Sequence, residues 1–172
     1  MIHGIRLKMN KILKYTLLLF ILISFQLLKA QVANDAIGSR AVDMGGVSIT
    51  LSDLWSANNN QAGLGFTKEI AGGIYYENRF LLKETANKAG VFVFPTKSGA
   101  IGLNVASFGY SAYSETKAGI SYGQRFGDKF SIGMQINYLN TQLTQQYGSN
   151  SAITGAVGLI AKLSEELTMG VH

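Results

Sequence analysis

Apolar and polar residues alternate with a period of two along most of the chain after residue 67. The clearest run extends from Phe130 to Tyr138, where every second residue is large and apolar. Because successive side chains of a strand point to opposite faces, this run predicts a strand with one apolar and one polar face. The same pattern predicts seven strands in all, over residues 68–78, 85–94, 99–108, 116–126, 130–138, 153–163 and 167–172.

The segments between these predicted strands alternate in length. Three are short (95–98, 127–129 and 164–166) and three are longer and polar (79–84, 109–115 and 140–151). Tight turns at one end and longer loops at the other are typical of transmembrane barrels. Strands of about 9–11 residues also match a tilted crossing of the membrane. The pattern therefore predicts an all-β fold, an antiparallel transmembrane β-barrel, with a soluble β-sandwich as the alternative.

Composition favours the membrane barrel over the sandwich. The polar positions hold Gly, Ser, Thr, Asn and Gln, and only 15% of the chain is charged. The surface of a soluble protein is about 25–35% charged. Aromatic residues also gather towards the predicted strand ends, as they do at the two interfaces of a membrane barrel; they are Tyr75, Tyr76, Phe94, Phe108, Tyr110, Tyr122, Phe126, Phe130 and Tyr138.

The first thirty residues have the pattern of a secretory signal peptide. A basic stretch ending at Lys14 precedes an apolar run over 15–28, and Ala30 lies at a suitable cleavage point. This run is shorter than the ~20 residues that a spanning helix needs. Five of the 15 basic residues lie in this segment, and the other ten balance the 10 acidic residues. The net charge of +5 therefore belongs to an export signal, and nothing indicates a nucleic-acid partner.

The seven predicted strands indicate that this chain is the N-terminal portion of a longer protein or a truncated product. Bacterial barrels close with an even number of strands, because an open edge in lipid leaves backbone groups unsatisfied. The last residue, His172, is also not the aromatic residue that commonly ends an outer-membrane barrel. We therefore expect residues 68–172 to form barrel strands 1 to 7, truncated at the C-terminus.

Catalytic chemistry finds no support in the residue types. The chain has no Cys, and its two His are His3 and His172, near opposite ends. The absence of Cys excludes a thiolate metal site and a Cys nucleophile. The two distant His offer almost nothing from which to build a Ser-His-Asp relay. The adjacent acids Glu165 and Glu166 fit a solvated turn better than an acid–base pair. We predict a protein that is not an enzyme, with no catalytic, metal or cofactor residues.

Residues 31–67, between the signal peptide and the first strand, are small and polar with little strand alternation. They indicate a short helical or irregular plug that lies against the barrel wall. They also carry short motifs at fixed spacings, namely Ser39-Arg40-Ala41, Met44-Gly45-Gly46, Leu51-Ser52-Asp53, Trp55 and Asn60-Gln61-Ala62-Gly63-Leu64. These motifs resemble the N-terminal signature of the FadL-type outer-membrane family, most of all its PorV/PorQ-like branch in Bacteroidetes.

The resemblance implies a 14-stranded barrel with this N-terminal segment, a hatch, inserted in the lumen, so that seven strands are half of the barrel. It assigns the hatch motif to Arg40, Gly45, Gly46, Asp53, Trp55, Asn60, Ala62 and Gly63. The chain departs from the family at Gln61, where the family has Pro. A proline fixes φ and removes a hydrogen-bond donor, so the hatch is expected to differ at this point.

Several of these residues also have simpler interpretations. Trp55 is expected to be a packing anchor rather than a ligand contact. The run of Asn58, Asn59 and Asn60 is expected to supply turn and capping chemistry rather than recognition. Arg40 and Asp53 are a candidate buried pair, with solvation as the alternative.

Two functions compete within the family that the chain resembles. FadL-like members pass hydrophobic small molecules through the outer membrane, whereas PorV/PorQ-like members serve type IX secretion and handle secreted cargo proteins. A structural or adhesin β-protein without transport is a third possibility. We expect the protein to be exported and to lie in the bacterial outer membrane, with outer-membrane lipid as a partner.

Overall fold

Seven antiparallel strands form one curled, half-barrel sheet in the computed structural model, which describes residues 36–144 and 148–172. The strands follow one another in the order β1 to β7, so each pairs with its neighbour in the sequence. Their bounds are β1 Ala71–Asn78, β2 Ala86–Pro95, β3 Gly99–Tyr110, β4 Tyr113–Phe126, β5 Phe130–Leu143, β6 Ser149–Lys162 and β7 Thr168–Val171. The predicted all-β class and the seven antiparallel strands are confirmed.

The prediction was wrong about the length of the central strands and about two connections, since β5 continues to Leu143 and β6 begins at Ser149 within the predicted link over 140–151. Strands β3 to β6 have 12 to 14 residues. The long loop predicted over 109–115 is a short turn, since Tyr110 pairs with Tyr113 across it. Polar residues such as Ser114 and Thr116 continue the ladder there because hydrogen bonding between backbones does not require apolar side chains. At ~3.3 Å per residue, such strands are long enough to extend beyond an apolar band ~25 Å tall.

The outward face of the sheet is apolar and exposed. In β5, Ile132, Met134 and Ile136 are 43%, 60% and 62% exposed, whereas the intervening Gln135 is only 3% exposed. Register carries this alternation across the sheet, because Met134 is paired with Tyr122 on one side and Val157 on the other. The exposed apolar residues on this outward face are Ile74, Tyr76, Phe92, Phe94, Ile101, Leu103, Val105, Ile120, Tyr122, Phe126, Phe130, Ile132, Met134, Ile136, Tyr138, Ile153, Val157, Leu159, Met169 and Val171.

The inward face is mostly small and polar, and the N-terminal segment covers part of it. This segment contains two short helices, α1 (Ser39–Asp43) and α2 (Ser56–Asn59), and a 3-10 helix, η1 (Gln61–Phe66). Two further 3-10 turns, η2 (Arg79–Leu81) and η3 (Lys83–Thr85), lie between β1 and β2. The contact between segment and sheet holds the main apolar cluster, made by Ala57, Leu64, Val91, Val93 and Ala100 with Leu54 and Trp55 beside it.

Two of the predicted regions lie wholly or partly outside the described residues. The signal peptide over 1–30 is one, together with residues 31–35 of the predicted plug, and residues 145–147 of the β5–β6 loop are the other. Within residues 36–144 and 148–172, no helix has the length and apolar character needed to cross a membrane.

Candidate functional site: the N-terminal segment on the inward face

A row of small residues crosses the sheet beneath η1. Register aligns Ala100 of β3, Gly123 of β4, Gly133 of β5 and Gly158 of β6 side by side. A Cβ atom built on Gly123 would lie 2.8 Å from the Gly65 nitrogen, and one built on Gly133 would lie 2.6 Å from the Gln61 oxygen. Such distances are too short for real atoms, so this small-residue row forms a groove that admits the backbone of η1.

The side chain of Gln135 joins the N-terminal segment to the wall. Its Nε2 atom donates to the carbonyl oxygen of Ala57 at 2.9 Å and to Oδ1 of Asn104 at 2.6 Å. Its Oε1 atom accepts a hydrogen bond from Nε2 of Gln61. Because Gln135 is 3% exposed, these bonds lie away from solvent, where an unpaired amide is costly.

Gln61, where the sequence resemblance led us to expect a proline, contacts the wall. The residue is fully buried, and its side chain donates to Gln135 of β5. A proline has no side-chain donor and could not make this bond. The side chain of Gln61 therefore supplies one of the polar contacts between the N-terminal segment and the wall.

Ser131 makes a second polar contact between wall and segment. It is fully buried, and its Oγ atom lies 2.6 Å from the carbonyl oxygen of Ala62 and 2.9 Å from that of Gln124. The hydroxyl thus bridges η1 and the neighbouring strand β4. Lys162 lies close by, with its Nζ atom 4.1 Å from the centroid of the Phe66 ring at the end of η1.

The three consecutive asparagines have separate contacts, and all three are buried. Asn58 accepts from Nδ2 of Asn104 at 3.1 Å, so it does contact the wall. Asn59 bonds both the nitrogen and the oxygen of Ile37, at 3.0 and 2.8 Å, and so fixes the start of the described chain. Asn60 caps η1, because its Oδ1 accepts from the nitrogen of Ala62 at 3.1 Å. Turn and capping chemistry is therefore part of their role, beside a direct contact with the sheet.

Trp55 packs the N-terminal segment against β1. Its ring meets that of Tyr75 edge to face, with centroids 5.7 Å apart. A Cβ atom on Gly38 would lie 2.6 Å from its Cδ1, and one on Gly73 would lie 3.4 Å from its Cζ2. The absence of side chains at these two glycines makes room for the indole, which packs as an anchor.

The remaining residues of the hatch motif fall into two groups. Asn60, Ala62 and Gly63 are buried in or beside η1, and a Cβ atom on Gly63 would lie 2.5 Å from the oxygen of Leu51. Arg40, Gly45 and Gly46 are exposed, away from the wall.

Exposed Gly45 and Gly46 have a local structural role. Gly46 donates to the oxygen of Ala41 at 2.8 Å and Gly45 to that of Val42 at 2.9 Å, so both close the end of α1. Gly45 has φ +71°, a conformation that favours glycine.

Arg40 and Asp53 have different surroundings. Arg40 is exposed on α1, whereas Asp53 is half-buried ahead of α2. Oδ1 of Asp53 accepts from the nitrogen of Trp55 at 2.9 Å, two residues further along the chain, as in an Asx turn. Solvation of Arg40 and a local turn contact of Asp53, rather than mutual pairing, therefore describe the two residues.

Sequence reasoning missed the residues of the wall that receive the segment. The alternation placed Gln135, Ser131 and Asn104 on a polar face, but period two cannot say what lies against a face. The signal that could have found them is the alignment of glycines: once antiparallel register is assumed, Gly123, Gly133 and Gly158 fall in one row, which indicates close approach of another backbone.

The arrangement can bind and position a chain segment. Its donors and acceptors are mainly amides and hydroxyls, most of which bond one another, whereas Oε1 of Gln61 is buried without a hydrogen-bond partner among the described residues. Across residues 36–144 and 148–172 there is no group of three or more His, Cys, Asp or Glu side chains placed to hold a metal ion. No protein-family model, curated protein or solved structure matches this chain.

Proposed function

We propose that this chain forms part of a non-enzymatic outer-membrane β-barrel of the PorV/PorQ/FadL-like type, with residues 36–67 as a plug in its lumen. The observation that carries the proposal is the inverted polarity of the sheet. Its exposed face is apolar, with Ile74 and Ile153 93% and 78% exposed, whereas Asn137 on the other face is 2% exposed. A contiguous apolar surface of this extent would promote aggregation in water, whereas lipid accommodates it.

The placement of charge supports the same orientation. Five charged residues of the described strands, Glu77, Glu115, Lys117, Arg125 and Lys162, alternate with the outward residues and so lie on the inward face. Lys88 is the exception within the described strands, and it lies near the start of β2, opposite Tyr76. A lysine near the end of a membrane strand can extend its ammonium group to the headgroups.

The positions of the outward aromatic residues are consistent with two membrane–water interfaces, one near each end of the strands. Phe94, Phe126 and Phe130 face outward near the tight turns, and Tyr76 and Tyr138 face outward towards the opposite end. Register places Tyr75, Phe108 and Tyr110 on the inward face, so these three predicted aromatics do not belong to the proposed girdles. The outward aromatics form the two girdles that are typical of barrels.

The polar lumen favours a secretion-accessory or polar transport role over uptake of hydrophobic molecules. Passage of an apolar solute requires an apolar pocket, but the inward face presents Asn104, Gln135 and Asn137, together with Lys117. Nζ of Lys117 donates to the oxygen of Asn58 at 3.5 Å, so this cation also faces the segment. We therefore place handling of secreted cargo ahead of FadL-like uptake.

Cell fractionation tests the membrane placement. Outer-membrane vesicles would be washed with alkaline carbonate and urea, and then extracted with detergent. The protein is expected to remain in the washed membranes and to be released by detergent. Recovery in the soluble periplasm would overturn the proposal.

Deletion of the gene separates the two roles. Loss of secreted cargo from the medium, with normal growth on long-chain fatty acids, is the expected result. Normal secretion with a growth defect on these fatty acids would instead establish uptake of hydrophobic molecules.

A further inference from the structure

We propose that the outward side of the β1–β2 hairpin is a binding site for one anionic membrane lipid, an inference that rests on the proposed membrane placement. The site combines an apolar depression for an acyl chain, a cation for the headgroup and an apolar loop at the water interface. These three parts lie in that order along one hairpin.

The apolar depression exists because two glycines face outward on neighbouring strands. Gly72 pairs with Phe92, and Gly90 pairs with Ile74 and with Val105. The resulting hollow has a volume of about 560 Å³, and its outward lining is apolar, formed by Gly72, Ile74, Gly90, Phe92, Leu103 and Val105. A Cβ atom on Gly90 would meet Cγ1 of Val105 at 3.6 Å, an ordinary van der Waals contact, so a side chain could be placed at this position without a clash.

Lys88 lies one outward position from this hollow. It is exposed and precedes Gly90 by two residues on the same face of β2, so the two positions are ~7 Å apart. It is also the charged residue that faces outward among the described strands. An ammonium group next to an apolar hollow matches a lipid that has a negatively charged headgroup.

The β1–β2 loop continues the apolar surface beyond Lys88. Phe80 and Leu81 are 85% and 91% exposed, and both have positive φ, 59° and 57°, which non-glycine residues rarely adopt. Hydrogen bonds hold this conformation: Oγ1 of Thr85 donates to the oxygens of Arg79 and Leu82 at 2.5 and 3.0 Å. A loop that is bonded into a strained shape and displays two large apolar residues is suited to an apolar contact.

Lipid fits this surface better than a protein segment for two reasons. The loop and the hollow continue the apolar face already proposed to meet lipid, as the exposed Tyr76 lies between them. The hollow is also open to the outside rather than enclosed, and Lys88 lies beyond one end of it.

The test uses the full chain in phosphatidylcholine vesicles and the absence of native cysteines. Phe80→Cys and Met134→Cys would each carry a fluorescent label, and quenching would be compared between nitroxide-labelled phosphatidylglycerol and nitroxide-labelled phosphatidylcholine at equal content. The label at position 80 is expected to be quenched preferentially by the anionic lipid, with an apparent affinity about five-fold higher. The label at position 134 should be quenched equally by both lipids.

Two variants examine the parts of the site. In the Phe80→Cys protein, Lys88→Gln should abolish the anionic preference. Gly90→Leu, which fills the hollow, should reduce quenching by both lipids. The matched control is Gly155→Leu, which faces outward on β6, where a Cβ atom has its nearest neighbour at 3.9 Å. This variant should change neither the anionic preference nor the extent of quenching at position 80.

Each outcome decides between the proposals. Equal quenching at position 80 by the two lipids, or a preference that survives Lys88→Gln, would overturn the lipid site while the label at position 134 still reports the membrane. Absence of quenching at both positions would overturn the membrane placement and the lipid site with it. A label at position 80 that is shielded from water but not quenched by either lipid would indicate a protein contact instead.

Discussion

Nε2 of Gln61 donates to Oε1 of Gln135, and this bond joins the N-terminal segment to the middle of β5. Gln61 is fully buried and Gln135 is 3% exposed. Gln135 also binds the segment backbone at Ala57 and reaches across β4 to Asn104 of β3. One side chain of the wall therefore coordinates two parts of the segment, and the segment and the sheet should respond to mutation as one unit.

The Gln61–Gln135 bond is expected to appear as an energetic coupling. Gln135→Ala removes a donor and an acceptor from a buried network and should lower the free energy of unfolding by about 1–3 kcal/mol. Combining it with Gln61→Ala should give less than the sum of the single effects, with an interaction energy of about 0.5–3 kcal/mol. Denaturant unfolding of the detergent-solubilised protein measures all three variants.

Gln142→Ala is the matched control for these substitutions. Gln142 lies on the same strand but is exposed, so its truncation should change the unfolding free energy by less than about 0.5 kcal/mol. Strict additivity of Gln61→Ala and Gln135→Ala would show that the two side chains do not act together.

The small-residue row should tolerate no side chain at Gly158. A Cβ atom there would lie 3.0 Å from Cγ of Asn60, so Gly158→Ala displaces the buried side chain that caps η1 and loosens the segment. Overpacking of this kind costs about 1–3 kcal/mol. Gly155→Ala, on the other face of the same strand, should have little effect. Limited proteolysis of the segment reports its release, and equal resistance in both variants would contradict the close approach described here.

Introducing a charged residue on the outward face tests whether lipid or water surrounds that face. Met134 is 60% exposed, so in water Met134→Arg would be nearly neutral. In mid-bilayer it should cost about 2–4 kcal/mol. Ala152→Arg is the control, because Ala152 pairs with Leu139 on the inward face and is exposed. Refolding yield into lipid vesicles should fall for the first variant and not for the second; equal yields would oppose the proposed orientation.

Relief of backbone strain should stabilise the β1–β2 loop. Leu81 has φ +57°, and a left-handed conformation costs a residue with a side chain about 1–2 kcal/mol. Leu81→Gly should therefore raise the free energy of unfolding in detergent, by ~1 kcal/mol after the entropy cost of glycine. Leu82→Gly is the control, since Leu82 has φ −95° and gains nothing. If both variants are destabilised alike, the loop is not strained.

The faces of the strands could be predicted from the sequence, but their contacts could not. The alternation of β5 identified Met134 and Gln135 as opposite in character because a strand has a strict period of two. Strand ends were less predictable, since Ser114 and Thr116 pair without contributing to an apolar pattern. The role of Gln61 was not predictable at all, because it depends on Gln135, which lies far away in the sequence and becomes a neighbour only through folding.

The inversion of the sheet, with its apolar face outward, is tested most directly by single cysteines along β5 in lipid vesicles. Each cysteine would carry a fluorescent label, and quenching by lipids with a nitroxide on the acyl chain would be measured. Labels at positions 132, 134 and 136, which face outward, should be strongly quenched, whereas those at the inward positions 137 and 139 should not. Quenching without a period of two, or the absence of quenching at Met134, would contradict the account.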